Sequence, residues 1–201
     1  MDEQQAREEI RLIKAMLERT KKATAESGTL FIFWGIWVIV AIAGMYILAY
    51  FEKYDLIWLN WIAFAVIGWA YSVIFGIRRG RVQKTRTYAQ SATGYLVLAC
   101  SVGFALVGYV FPALGVYSYS AIGILIALVT GILLFVMGGL FEWRLLVWMG
   151  VVLWLGAVGM IFVAPDYRSL CLVPLIIIGY LVPGFILRAK YAREQKTPDA
   201  E

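Results

Sequence analysis

Six stretches of this chain, residues 29–51, 56–77, 92–111, 118–140, 145–164 and 170–187, contain no Asp, Glu, Lys or Arg. Each is close to the run of about 20 apolar residues that a helix needs to cross a hydrocarbon core of about 30 Å. A β-barrel is excluded, because its strands would be about ten residues long with alternating polarity. With 62% hydrophobic residues, against about 45–50% in soluble domains, the chain suits bilayer as its solvent. The expected fold is an all-α integral membrane protein. Residues 1–28 are expected to form a cytoplasmic amphipathic helix, 29–187 a six-helix transmembrane domain, and 188–201 a cytoplasmic tail. The first apolar stretch follows a charged segment and is too long for a signal-peptide core, so it is expected to stay as the first span.

Charge sets the expected orientation. With the N-terminus inside, all but Lys53 and Arg168 of the 18 basic residues fall on the inner side, as Lys/Arg bias in short loops requires. An even number of spans and two cytoplasmic termini follow, in a plasma (inner) membrane. Trp34, Trp37, Trp143 and Trp148 are expected at the inner boundary, and Tyr50, Tyr54, Trp58, Trp61, Tyr117, Tyr119 and Tyr167 at the outer one. The net charge of +5 then reflects orientation and contact with anionic lipid, not nucleic-acid binding. The densest basic cluster, Arg78, Arg79 and Arg81 through Lys84 and Arg86, is a candidate lipid or partner contact.

Ahead of the spans, Ala6, Ile10, Ile13, Leu17 and Thr20 follow a 4-3-4-3 spacing that places them on one helical stripe. Ile10, Ile13 and Leu17 are candidates for contact with the membrane surface or with a cytoplasmic partner. The stretch EIRLIKAMLERTKKATAESGTLFIFWG, residues 9–35, resembles the start of uncharacterised small bacterial inner-membrane proteins with about six spans. The resemblance extends from the N-terminus to the neighbourhood of Tyr50. It implies a bacterial plasma-membrane setting and assigns no activity and no functional residue.

Glycines suggest an internal repeat. The odd spans each carry two of them at one common spacing, Gly35/Gly44, Gly94/Gly103 and Gly150/Gly159. Ile67-Gly68, Ile122-Gly123 and Ile178-Gly179 recur at nearly equal intervals. Two readings stand: three tandem helical hairpins of one orientation, or the ordinary abundance of glycine in membrane helices. Ala99/Gly103, Ala127/Gly131 and Gly76/Gly80 have the small-xxx-small spacing of a close seam or a dimer face.

Chemistry-bearing residues are sparse. The chain has no histidine, and so lacks the commonest metal ligand and the commonest general base at neutral pH. It has no phosphate loop of the GxxxxGK[ST] kind, no GxSxG elbow and no ionisable residue within a span. No cofactor is expected, and Cys100 and Cys171 are expected to be free thiols. Glu142 and Arg144 form a candidate interfacial pair between the fourth and fifth spans, where they would pair or cap the fifth helix. Pro174, Gly179 and Pro183 interrupt the sixth span, and broken helices often line binding sites.

These features favour a non-enzymatic membrane module that self-associates or binds a cytoplasmic partner through its N-terminal helix and basic loops. The alternative is a channel or uptake subunit for a small, largely uncharged solute, with the kinked sixth helix at the site. A lipid-modifying enzyme using Tyr or Ser hydroxyls with Glu142 and Arg144 is the third reading.

Overall fold

In the computed structural model, residues 28–82 and 88–196 are described, with side chains over 28–78 and 91–189. Six helices are long and apolar enough to cross a membrane: α1 Gly28–Tyr50, α2 Tyr54–Arg78, α3 Ser91–Ala113, α4 Tyr119–Leu140, α5 Arg144–Ile161 and α6 Pro165–Ala189. Among the described residues there are no strands. An apolar segment in lipid must satisfy every backbone group internally, which is why each of these stretches is helical throughout. The Ile10, Ile13 and Leu17 stripe lies outside the described residues, as do the side chains of Arg79 and Arg81.

Consecutive helices run antiparallel. We call the end where α1 begins the near end and the opposite one the far end. Each even helix opens at the far end with a single 3₁₀ turn, at Tyr54–Leu56, Tyr119–Ala121 and Pro165–Tyr167. Asp55 and Asp166 sit in the first of these turns and the last, where a carboxylate complements the positive pole of the helix.

The core is built by α1, α4, α5 and α6. Toward the near end Phe31, Leu134, Leu146, Met149, Leu153 and Leu187 pack together. Toward the far end Ile42, Ala127, Ala157, Met160 and Leu172 do so. Helix α4 is central, with 44% of its most apolar stretch buried, whereas α2 is peripheral at 6%. The α4–α5 seam is so close that a Cβ added at Gly150 would lie 2.8 Å from the Gly131 carbonyl oxygen. On the other side of the core, a Cβ at Gly184 would lie 3.0 Å from the Gly28 carbonyl oxygen, which joins the near ends of α6 and α1.

Helix α2 attaches to α1 through an aromatic seam. Phe33 and Tyr71 stack with ring centroids 3.7 Å apart. Trp34 donates to Ser72 at 3.1 Å and Trp37 donates to the Phe64 carbonyl at 3.0 Å. Asn60 donates to the Ala41 carbonyl at 3.0 Å. Trp34 and Trp37, expected as boundary rings, are therefore partly buried packing residues as well. Helix α3 leans on α4 and reaches α2 through the Tyr109 hydroxyl, which donates to the Trp61 carbonyl at 2.6 Å.

The turn between α4 and α5 is a Schellman motif. Trp143 N–H donates to the Gly138 carbonyl at 2.8 Å and Glu142 N–H to the Gly139 carbonyl at 3.3 Å. Glu142 holds the left-handed position with φ 53°, a site usually taken by glycine. Glu142→Gly is expected to raise the thermal midpoint. The gain is about 0.5–1 kcal/mol once glycine's greater freedom in the unfolded chain is subtracted. A lowered midpoint in a detergent melting scan would show that the Glu142 side chain contributes more than the strain it costs.

Candidate functional site

Helix α6 departs from α-helical geometry at the residues singled out in the sequence. Pro174 lies inside the helix and faces outward. Residues Ile177–Leu181 form a π-helical turn, and Pro183 follows, fully buried. Proline supplies no N–H, and its ring clashes with the carbonyl four residues back, here that of Gly179. Widening the preceding turn to i→i+5 bonding relieves that clash, a pattern frequent at functional sites. Gly179 is buried where a Cβ would lie 3.2 Å from both Leu134 and Leu153. Gly179 and Pro183 thus face the core, and Pro174 does not join them around one cavity.

The polar centre of the bundle lies one residue beyond Gly179. The Tyr180 hydroxyl reaches Thr130 on α4. Thr130 is only 2% exposed and donates from Oγ1 to the Ile126 carbonyl at 2.7 Å. Its oxygen is left to accept from Tyr180, so each hydroxyl proton has an acceptor. Cys100 on α3, a buried free thiol, lies within electrostatic range of Tyr180. Helices α4 and α6 therefore bring a phenol and a hydroxyl together at mid-membrane depth, with a thiol of α3 in the same region. Such a site offers hydrogen bonds and no charge.

The remaining candidates are dispersed. Arg78 is exposed at the near end of α2. Glu142 and Arg144 flank Trp143 in the tight turn, and among the described residues no ion pair joins them. The Trp143 side chain makes no N-terminal cap for α5, so that helix begins without one. Capping occurs at its other end instead. Arg168 donates from Nε to the Val163 carbonyl at 3.0 Å and from Nη2 to the Ile161 carbonyl at 3.3 Å. A cation is favoured at that negative helix pole. Among the described residues no cluster of His, Cys, Asp or Glu is suited to a metal ion.

Thr130, Tyr180 and Cys100 stand far apart in the sequence, and nothing in their spacing shows that they share one region. One signal was available. LVGYVFP (106–112) in α3 and IIGYLVP (177–183) in α6 share one pattern, and Leu106–Val110 is the other π-helical turn. Its Val107 carbonyl, which Pro112 cannot serve, accepts from the Tyr117 hydroxyl at 2.5 Å. Comparison with protein-family models, with curated proteins and with solved structures finds no match.

Proposed function

We propose that this chain is a multi-pass inner-membrane protein, with both termini cytoplasmic, that passes a small, largely uncharged solute through a site beside Gly179 and Tyr180. The observation that carries this reading is the π-helical turn within helix α6. That turn, Ile177–Leu181, carries the Tyr180 hydroxyl, which reaches the buried Thr130. Such turns are rare within helices and recur at functional sites, where they turn a side chain and loosen the backbone bonding beside it. The site has hydrogen-bonding groups and no ionised ones, which favours a neutral solute. No step in this reading requires covalent chemistry, so the chain is taken to be non-enzymatic.

Stopped-flow light scattering of proteoliposomes with glycerol, urea and erythritol as probes tests the proposal. The wild type is expected to speed the entry of at least one probe over protein-free vesicles. Pro183→Ala, which removes the cause of the π-helical turn, is expected to abolish that gain, with Pro174→Ala weaker because Pro174 faces outward. No acceleration of any probe, or equal flux in both variants and wild type, would refute it.

A second reading rests on α2 and α3, whose most apolar stretches are only 6% and 11% buried. It makes the chain a self-associating or partner-binding module, with an amphipathic helix over Ile10, Ile13 and Leu17 and the basic Arg78, Arg79 and Arg81 contacting lipid headgroups or a cytoplasmic protein. Native mass spectrometry of full-length protein and of a variant lacking residues 2–27 separates the two readings. An oligomer or complex lost on deletion supports the module.

A further inference from the structure

We infer that the chain is two inverted copies of one three-helix unit, α1–α3 and α4–α6, and that α3 and α6 take turns in docking on the core. The exchange would open the site of the proposed carrier to each side alternately; the access step rests on that proposal, and the repeat does not.

Two sequence matches define the unit. Phe51-Glu52 with Leu56 and Trp58 recurs at the same internal spacing as Phe141-Glu142 with Leu146 and Trp148. The LVGYVFP of α3 recurs as the IIGYLVP of α6. The second match is separated by fewer residues than the first because α5 is shorter than α2, the α5–α6 connection is shorter than the α2–α3 one, and the glycine comes earlier in α6 than in α3. Both matches hold at the level of backbone geometry. Lys53 N–H donates to Leu48 and Glu52 N–H to Ala49, as Trp143 donates to Gly138 and Glu142 to Gly139. Glu52 and Glu142 are the only non-glycine residues at positive φ among the described residues, at 58° and 53°. Trp58 and Trp148 are 63% and 67% exposed. The only two π-helical turns among the described residues, Leu106–Val110 and Ile177–Leu181, each end just before a proline, Pro112 and Pro183.

A unit of three helices reverses direction when it is repeated, so the copies are related by a pseudo-two-fold axis in the membrane plane. The α1–α2 turn lies at the far end and the α4–α5 turn at the near end, as that axis demands. Packing follows the same exchange. The close α4–α5 pair corresponds to the α1–α2 pair. The contact of α3 with α4 corresponds to that of α6 with α1, so each unit's third helix lies on the other unit's first.

The copies are not in equivalent positions. A Cβ at Gly179 would lie 3.2 Å from Leu134 and Leu153, while at the matching Gly108 nothing lies within 4 Å. The π-helical turn of α6 is docked on the first two helices of its own unit, and that of α3, which rests on α4, is not. Two chemically similar halves in different positions imply a second arrangement in which the roles are exchanged. The register that aligns Glu52 with Glu142 aligns Ala63 with Leu153, so the surface awaiting Gly108 includes Ala63 on α2.

Cysteine pairs test this in full-length protein carrying Cys100→Ala and Cys171→Ala. On mild oxidation in native membranes, Gly108→Cys with Ala63→Cys is expected to lose both free thiols to an intramolecular bridge. The control pair Gly108→Cys with Ile67→Cys, one helical turn away, is expected to retain them. Bridging needs Cβ atoms about 3.5–4.5 Å apart, and as α3 now sits nothing lies within 4 Å of a Cβ at Gly108. A Gly108/Ala63 pair that stays reduced, or a control that bridges equally, overturns the exchange. If the expected bridge forms and abolishes probe flux until reduced, the exchange is the transport step. If it forms in protein that moves none of the probes, the carrier reading fails and the inverted repeat stands.

Discussion

Gly150→Leu is expected to prevent the bundle from assembling. A Cβ there would lie 2.8 Å from the Gly131 carbonyl oxygen and 2.9 Å from both the backbone nitrogen and the Cβ of Phe135. Two of those three atoms belong to the α4 backbone, so no side-chain rotation relieves the clash, and a leucine adds three more carbons. Overpacking a core costs about 1–3 kcal/mol where side chains can adjust. Here two helices must separate along the central seam, and the loss approaches the whole of a typical stability of about 5–15 kcal/mol. Gly159→Leu on the same helix, where nothing lies within 4 Å of the added Cβ, is expected to be tolerated. Gel filtration and melting scans in detergent should separate the two variants completely. Equal behaviour would mean that the α4–α5 seam is not the centre of the fold.

That contrast also explains why the glycine pattern misleads when read from sequence. The spacing of Gly150 and Gly159 spans about two and a half turns of an α-helix, so glycines so placed lie on opposite faces and only one of each pair is positioned to meet a given neighbour. Gly150 meets α4 and Gly159 meets nothing. The Ile-Gly recurrence fails differently. Gly68 and Gly179 lie past the midpoints of helices that begin at Tyr54 and Pro165, whereas Gly123 lies near the start of the helix that begins at Tyr119, so these glycines are not at equivalent depths. Of the small-xxx-small pairs, Ala127/Gly131 forms a real seam, with Ala127 fully buried and Gly131 against Gly150. An added Cβ at Gly76 meets only open space.

The spans themselves were legible because a hydrocarbon core acts on every residue in the same way, and a run of apolar residues long enough to cross it needs no partner to be recognised. Contacts between helices carry no such signature. Lipid tails are as apolar as leucine, so hydropathy does not distinguish the face of α4 that packs on α5 from the face of α2 that packs on nothing. Nor does it say that Arg168 turns back to close α5 while Glu142 does not open it. The matching segments of α3 and α6 were legible in principle. Their shared proline explains the π-helical turns, but a search for hairpin repeats compares helices of like orientation and passes over a pair that runs in opposite directions.

The hydroxyl pair at the centre gives the other large expected effect. Thr130→Val keeps the shape of the side chain and removes its oxygen, leaving the Tyr180 hydroxyl without the partner it now reaches. Leaving a buried donor unmatched costs about 1–3 kcal/mol, and a fall in the melting midpoint is expected. Tyr180→Phe alone should cost less, because Thr130 keeps its own acceptor, the Ile126 carbonyl at 2.7 Å. Adding Tyr180→Phe to Thr130→Val should recover most of the lost stability, since replacing both partners by apolar groups removes the unmatched donor along with the bond. If the pair serves only to hold α6 on α4, flux in the double variant returns together with the midpoint. If the pair is the solute's hydrogen-bonding surface, the midpoint recovers and flux does not, and that divergence is the result expected here. A double variant as unstable as Thr130→Val alone would mean that the two hydroxyls do not act on each other, and the site would have to be sought elsewhere in the bundle.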